Sequence, residues 1–200
     1  MKRTMLTESC TNWKENHMEK PEVTPTHKKP WAREVRDWIL TLGVAMVAAL
    51  LIQNYAFAQT EVRNISMQKT LVEGQRLIED KISYRFESPH RGDIVIISGP
   101  ESDKRLIKRV IGLPGDVLNI TGDGHVILND RPLEEPYIKG LTFSNGLEMP
   151  YTVPANTVFV MGDNRENSQD SRVLGPIALS SLEGRAVFRL WPLNKFGGLE

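Results

Sequence analysis

Residues 38–58, WILTLGVAMVAALLIQNYAFA, form the longest uncharged apolar run in the chain. As a helix at 1.5 Å per residue this run is about 30 Å long, the thickness of a bilayer's hydrocarbon core. Trp38 and Tyr55 stand near its two ends, where amphipathic rings favour the membrane–water interface. Beyond it the pattern changes to short apolar runs separated by turn residues. Asp93–Ser98 follows Arg91-Gly92 and predicts a buried strand; Arg105–Leu113 predicts another, closed by Pro114-Gly115-Asp116. Val117–Thr121 and His125–Leu128 flank Gly122-Asp123-Gly124, a hairpin signal, and Asn129-Asp130-Arg131-Pro132 supplies the next turn. Thr157–Met161 and Arg185–Trp191 complete the set. After residue 60 there is no long apolar period of 3.6. The expected fold class is therefore mostly β, with one transmembrane helix ahead of it.

Three segments are expected: a polar, disordered tail over 1–36, a transmembrane signal-anchor helix over 37–58, and a β-rich domain over 59–200. Ala56-Phe57-Ala58 before Gln59 is a small-x-small pattern of the kind cut in secretory signals. The long polar region ahead of the apolar run, and the run's own length, favour an uncleaved anchor over a cleaved leader. Lys20, Lys28, Lys29, Arg33 and Arg36 precede the run, against Arg63, Lys69 and Arg76 after it. This bias places the N-terminus in the cytoplasm and the β-rich domain on the far side.

Composition narrows the chemistry. Lys plus Arg and Asp plus Glu number 25 each, which argues against a protein held on nucleic acid. The single cysteine, Cys10, allows neither an intrachain disulfide nor a cysteine metal site. His17, His27, His90 and His125 lack metal-ligand spacing, so neither a metal nor a cofactor is expected.

Three stretches carry candidate chemistry: Asn64-Ile65-Ser66-Met67-Gln68-Lys69-Thr70-Leu71, Lys108-Arg109-Val110-Ile111-Gly112-Leu113-Pro114-Gly115-Asp116, and Gly162-Asp163-Asn164-Arg165-Glu166-Asn167-Ser168-Gln169-Asp170-Ser171-Arg172. Singly they read as a surface serine, an edge-strand lysine and a polar turn. Together, in this order behind a single anchor, they resemble the type I signal peptidases, in the compact form of cyanobacterial, plastid and Gram-positive members. The second and third stretches agree with that family's boxes at every fixed position. The first departs from the family's Pro-Ser-x-Ser-Met-x-Pro-Thr-Leu: Arg63 and Lys69 replace the prolines, and Asn64 replaces the first serine.

The resemblance implies a β-rich Ser–Lys peptidase that removes signal peptides from exported preproteins after small-x-small sites. Ser66 would be the nucleophile and Lys108 its general base. A lysine serves as a base only when neutral, and the apolar neighbours Leu106, Ile107, Val110 and Ile111 supply the desolvation this needs. Strand alternation would turn Arg109 to the opposite face. By the same resemblance Ser168 would hydrogen-bond and orient the Lys108 amine. Asp170 and Arg172 would pair to hold their loop, with Asp163 and Asn164 supporting the turn. Asn64 would take the place of the hydroxyl that donates to the oxyanion, as an asparagine does in subtilisin. Val62, Met67, Leu71 and Ile107 match positions that line the substrate pockets. The implied partners are preproteins carrying signal peptides, laid beside a strand, and the lipid bilayer of a plasma or thylakoid membrane. The altered first box leaves a second reading open, a catalytically impaired or specialised paralogue that binds preproteins or a partner. A self-cleaving repressor, also of the Ser–Lys class, would carry a helical DNA-binding domain where this chain has an unpatterned tail and a span.

Overall fold

The computed structural model describes residues 31–99 and 105–199, so the tail expected over 1–36 lies outside the described residues up to position 30. The chain divides into two units, Met1–Leu42 and Gly43–Glu200. Helix α1 runs Trp31–Ala56, which moves both expected boundaries of the span. It takes in Arg33, Glu34, Arg36 and Asp37, which continue a helix as readily as a tail. The stretch Trp31–Ile52 has a mean hydropathy of 1.9 and none of it is buried. It is long and apolar enough to cross a membrane.

At its other end the helix stops short of residue 58. Phe57 and Ala58 begin strand β1, Phe57–Glu61, which pairs antiparallel with β2, Arg76–Asp80. The small-x-small pattern is thus split between a helix end and a paired strand, with Ala58 opposite Glu79.

The remaining strands are β3 (Ile94–Ser98), β4 (Arg105–Gly112), β5 (Val117–Ile120), β6 (Val126–Leu128), β7 (Arg131–Pro132), β8 (Tyr151–Thr152), β9 (Thr157–Met161), β10 (Ile177–Ala178), β11 (Leu182–Trp191) and β12 (Gly197–Gly198). A four-residue helix, α2 (Ser171–Leu174), lies between β9 and β10. The larger sheet has the order β1-β2-β11-β3-β4-β9-β10, with β12 also on β11; the smaller is β7-β6-β5-β8. The mostly-β expectation holds.

Alternation explains the continuous apolar run of β3. Ile94 and Ile96 join a cluster with Val62, Met67, Leu71, Leu77 and Ile107. Val95 and Ile97 point the other way, into Val110, Val158, Val160 and Ile177. A strand covered on both faces has no polar positions to alternate with. A third cluster, Ile111, Leu118, Val126, Leu128, Val153, Phe159 and Met161, joins residues of the two sheets. The central strands are therefore held rigidly, and β4 is the one that carries Lys108.

Candidate active site

Ser66 lies in a turn after β1, pinned from several sides. Gln68 N–H donates to Ile65 O at 3.1 Å and Leu71 N–H to Met67 O at 2.8 Å. The Gln68–Lys69 peptide is cis. Asn164 fastens the turn to the third box: its N–H donates to Ser66 O at 2.9 Å, and its Nδ2 to Ile65 O at 3.1 Å. Gly162 shows how close this approach is. A Cβ there would sit 2.6 Å from Ser66 O and 2.2 Å from Ser168 Oγ, so no other residue fits without displacing backbone.

Lys108 reaches this turn from the middle of β4. Its Nζ donates to Ser66 Oγ at 2.8 Å, and both side chains are buried. Among the described residues no carboxylate forms an ion pair with it. Burial is the main influence on the amine and favours the uncharged form. Asp170 and Asp163 pull towards the ammonium and Arg172 pushes against it, and the net result is a pKa lowered to about 8. The expected desolvated lysine beside a serine is present.

Arg109 leaves the strand in another direction, but its charge stays within the frame of the site. Its Nε and Nη2 grip Asp163 at 2.9 and 2.8 Å, Nη1 donates to Gly92 O at 2.9 Å, and the guanidinium lies 4.0 Å from the centre of the Tyr137 ring. Asp163 also accepts from Thr70 Oγ1, in the segment that carries Ser66. The carboxylate expected to support the turn thus ties β4 to the segment bearing Ser66. Neither Arg109 nor Thr70 was singled out for this role from sequence, since the two are far apart along the chain.

The rest of the third box is a set of buried charges. Asp170 caps α2 and takes Arg172 through Nε and Nη2, each at 2.9 Å, while its Oδ2 also accepts Gly162 N–H at 3.0 Å. Burial alone would raise the Asp170 pKa, but these hydrogen bonds and the Arg172 charge outweigh it and hold the carboxyl below its usual value. Arg165 pairs with Glu135 at 2.5 Å and donates to Thr142 Oγ1 at 2.7 Å.

Three expectations change on inspection of the geometry. Ser168 does not bond the Lys108 amine, which is turned to Ser66; its Oγ is buried over Gly162, on the side of the Asp170 carboxyl, which it helps to hold low. Asn64 does touch Ser66, but through its carbonyl end: Oδ1 accepts from Ser66 N–H at 3.2 Å and from Ser66 Oγ at 2.8 Å. Of the four residues expected to line substrate pockets, Val62, Met67 and Leu71 are at most 1% exposed and belong to the core cluster under the site. Strand alternation and the turn at Ser66 point them inward. Ile107 alone of the four lines an open groove of about 880 Å³, together with Gln59, Thr60, Glu61, Arg63 and Asn64 on one side and Arg105 and Leu106 on the other.

The profile of the signal peptidase family, peptidase S26, matches residues 35–191. The chain belongs to that family. It is 39% identical to the signal peptidase I of Leptolyngbya laminosa over 90% of this chain and 91% of that one. It is 38% identical to a probable signal peptidase I-1 of Synechocystis over 85% and 89% of the two chains. A solved signal peptidase I from Enterococcus faecalis V583 aligns with 32% identity and a TM-score of 0.43, over 50% of this chain and 97% of that chain. The resemblance to compact cyanobacterial members is borne out. As a signal peptidase the chain is an enzyme, a serine endopeptidase.

Proposed function

We propose that this signal peptidase is anchored in a membrane by α1 and removes N-terminal signal peptides from exported preproteins, using Ser66 as nucleophile and Lys108 as general base. The observation that carries the reading is the 2.8 Å contact between Ser66 Oγ and a buried lysine that has no carboxylate partner among the described residues. In the attack step Oγ bonds to the scissile carbonyl carbon and its proton passes to neutral Lys108 Nζ. On collapse of the tetrahedral intermediate the C–N bond breaks, and the Lys108 ammonium returns that proton to the leaving amine. A water then attacks the ester, gives its proton to Lys108, and the released serine oxygen recovers it.

The groove supports the substrate assignment. It runs between β1 with its following residues and the first half of β4, and Asn64 and Ile107 place its end beside the dyad. Among the described residues β1 is an edge strand paired with β2 alone, so its outer backbone groups suit an extended peptide added as a further strand. The core packing of Val62, Met67 and Leu71 leaves little depth under that strand, in keeping with small side chains before the cut. The strand pairing of Ala58 with Glu79 favours an uncleaved anchor. The flanking charges favour a cytoplasmic N-terminus, with the peptidase domain across a plasma or thylakoid membrane.

The test is cleavage of a preprotein with an Ala-x-Ala site by the detergent-solubilised full chain, beside Ser66→Ala and Lys108→Ala. Specific cleavage that disappears in both variants is the expected outcome. An intact wild-type chain that binds the preprotein without cutting it would establish the paralogue that only binds.

A further inference from the structure

Arg63 belongs to a row of polar side chains along the groove. The chain there is extended and alternates: Thr60 and Val62 are turned in and buried, while Gln59, Glu61 and Arg63 are turned out. The ladder to the neighbouring segment continues past the end of β1. Val62 N–H donates to Gln75 O at 2.9 Å, and Gly74 N–H donates to Val62 O at 2.9 Å. The alternation is therefore held as far as Arg63. A peptide laid along the outer edge of β1 shares its pleat, so its side chains alternate between the same two faces. In a small-x-small site the two small side chains fall on one face and the middle one on the other. On the inner face Ile107 of β4 packs into the same core cluster as Val62, which leaves room for small side chains only. The middle side chain then points outward, onto the row of Glu61 and Arg63.

Arg63 directly precedes Asn64, whose Oδ1 lies 2.8 Å from Ser66 Oγ, so it is the outward residue of the row nearest the dyad. The middle residue of the site is the first outward side chain before the cut, and the two meet. The Arg63 side chain is 84% exposed, and among the described residues the one carboxylate paired with it is Glu61, at 3.7 Å. A pair so long and so open to solvent is weak. Arg76 lies directly across from Glu61 in the β1–β2 register and also lines the groove. Glu61 thus keeps a cation beside it when Arg63 turns to a substrate. The planar guanidinium fork matches a carboxylate. We propose that Arg63 is a specificity determinant for the middle residue of the cleavage site, favouring preproteins with aspartate or glutamate there and disfavouring lysine or arginine. This inference rests on the signal-peptide-cleaving reading of the groove and adds to it a preference for small-acidic-small sites.

One preprotein is made with Ala-Glu-Ala, Ala-Gln-Ala and Ala-Lys-Ala sites and given to the detergent-solubilised full chain, to Arg63→Gln and to Arg63→Glu. Within each enzyme, kcat/KM is taken relative to the glutamine substrate, so that differences in the amount of folded protein cancel. The wild type is expected to prefer glutamate over glutamine by about three- to fivefold and to cut the lysine site least. The difference should lie in KM, since the charge is met equally before and during the chemical step. In Arg63→Gln the glutamate-to-glutamine ratio falls to about one, and in Arg63→Glu the order of the three substrates inverts. Salt at about 0.5 M shrinks the wild-type ratio, because an exposed ion pair is screened. A wild-type ratio of one, or a preference that persists in Arg63→Gln, overturns the assignment. If the wild-type chain cuts none of the three, the peptidase reading fails on its own. The affinities of fluorescein-labelled peptides with the same three sites for the Ser66→Ala chain, read by fluorescence anisotropy, then decide the role of Arg63: the same charge order supports it, and equal affinities overturn it.

Discussion

Two kinds of buried cation sit within one site, and they are treated in opposite ways. Arg109, Arg165 and Arg172 are each 4% exposed or less, and each faces a carboxylate: Asp163, Glu135 and Asp170. Lys108 is as deeply buried and faces a serine hydroxyl. A guanidinium stays charged at any working pH, and its planar fork takes a carboxylate with two bonds, which suits a rigid frame. An ammonium denied a partner can instead give up its proton, which suits a base. The labour is divided: the arginine pairs of the third box and β4 hold the frame around the Ser66 turn so that the lysine can remain without a counter-ion.

The comparison can be broken from either side. The largest effect is expected from Arg172→Met, which leaves Asp170 buried and uncompensated and removes the bond to Arg165 O. A loss of about 3–5 kcal/mol of folding stability is expected, read from the urea midpoint, with cleavage falling alongside it. A change under about 1 kcal/mol would show that the pairs are not the frame.

The reverse substitution type should act in the opposite direction. Lys108→Met removes the one buried cation among the described residues that lacks a carboxylate, while Ser66 Oγ keeps its bond to Asn64. The lysine titrates at 10.5 in the unfolded chain and at about 8 in the fold. Below pH 8 both states carry the proton, and burying the ammonium costs its full amount. From pH 8 to 10.5 the unfolded chain binds the extra proton, so stability rises with pH. Methionine is therefore expected to stabilise the protein at pH 7 by about 2–4 kcal/mol while abolishing cleavage. A destabilised variant would mean that the lysine is there for the fold.

A third prediction, smaller in size, separates the two kinds of cation by pH. Between pH 6 and 8 kcat/KM is expected to rise about tenfold per unit and then level off as Lys108 becomes neutral. The frame should not titrate in that window. Asp170, held below 3.8, contributes its stability at any pH above the unfolded value and loses it only as pH falls through its folded one. Thermal stability that tracks activity between pH 6 and 7 would contradict this separation.

Much of this was legible in the residue order. The apolar run at 38–58 announced the helix by its length, although the true bounds, Trp31–Ala56, were hidden. Charged residues such as Arg33 and Asp37 continue a helix without leaving an apolar mark, and Phe57-Ala58 is as apolar in a strand as in a span. The turn residues around 114–116, 122–124 and 129–132 marked the strand ends well. β2, Arg76–Asp80, escaped notice because three of its five residues are charged and its burial comes from neighbours on both sides. Ser66 and Lys108 were recognisable from their boxes. The roles of Val62, Met67 and Leu71 were not, since an apolar residue beside a nucleophile looks the same whether it faces a pocket or the core.

The sequence by itself determined the anchor-length helix, the β-rich domain and the peptidase family, and it singled out Ser66 and Lys108 as the pair to look for. These rest on periodicity, run length and residue type, properties that each segment carries locally. The tertiary structure alone decided which polar atom meets which: Lys108 with Ser66, Arg109 with Asp163, Asp163 with Thr70, and Asn64 with Ser66 by its carbonyl end. The first three of these pairings join positions 42 to 93 residues apart. They depend on sheet register and on the direction in which a strand or turn releases each side chain, and a difference of one residue in register would exchange the partners.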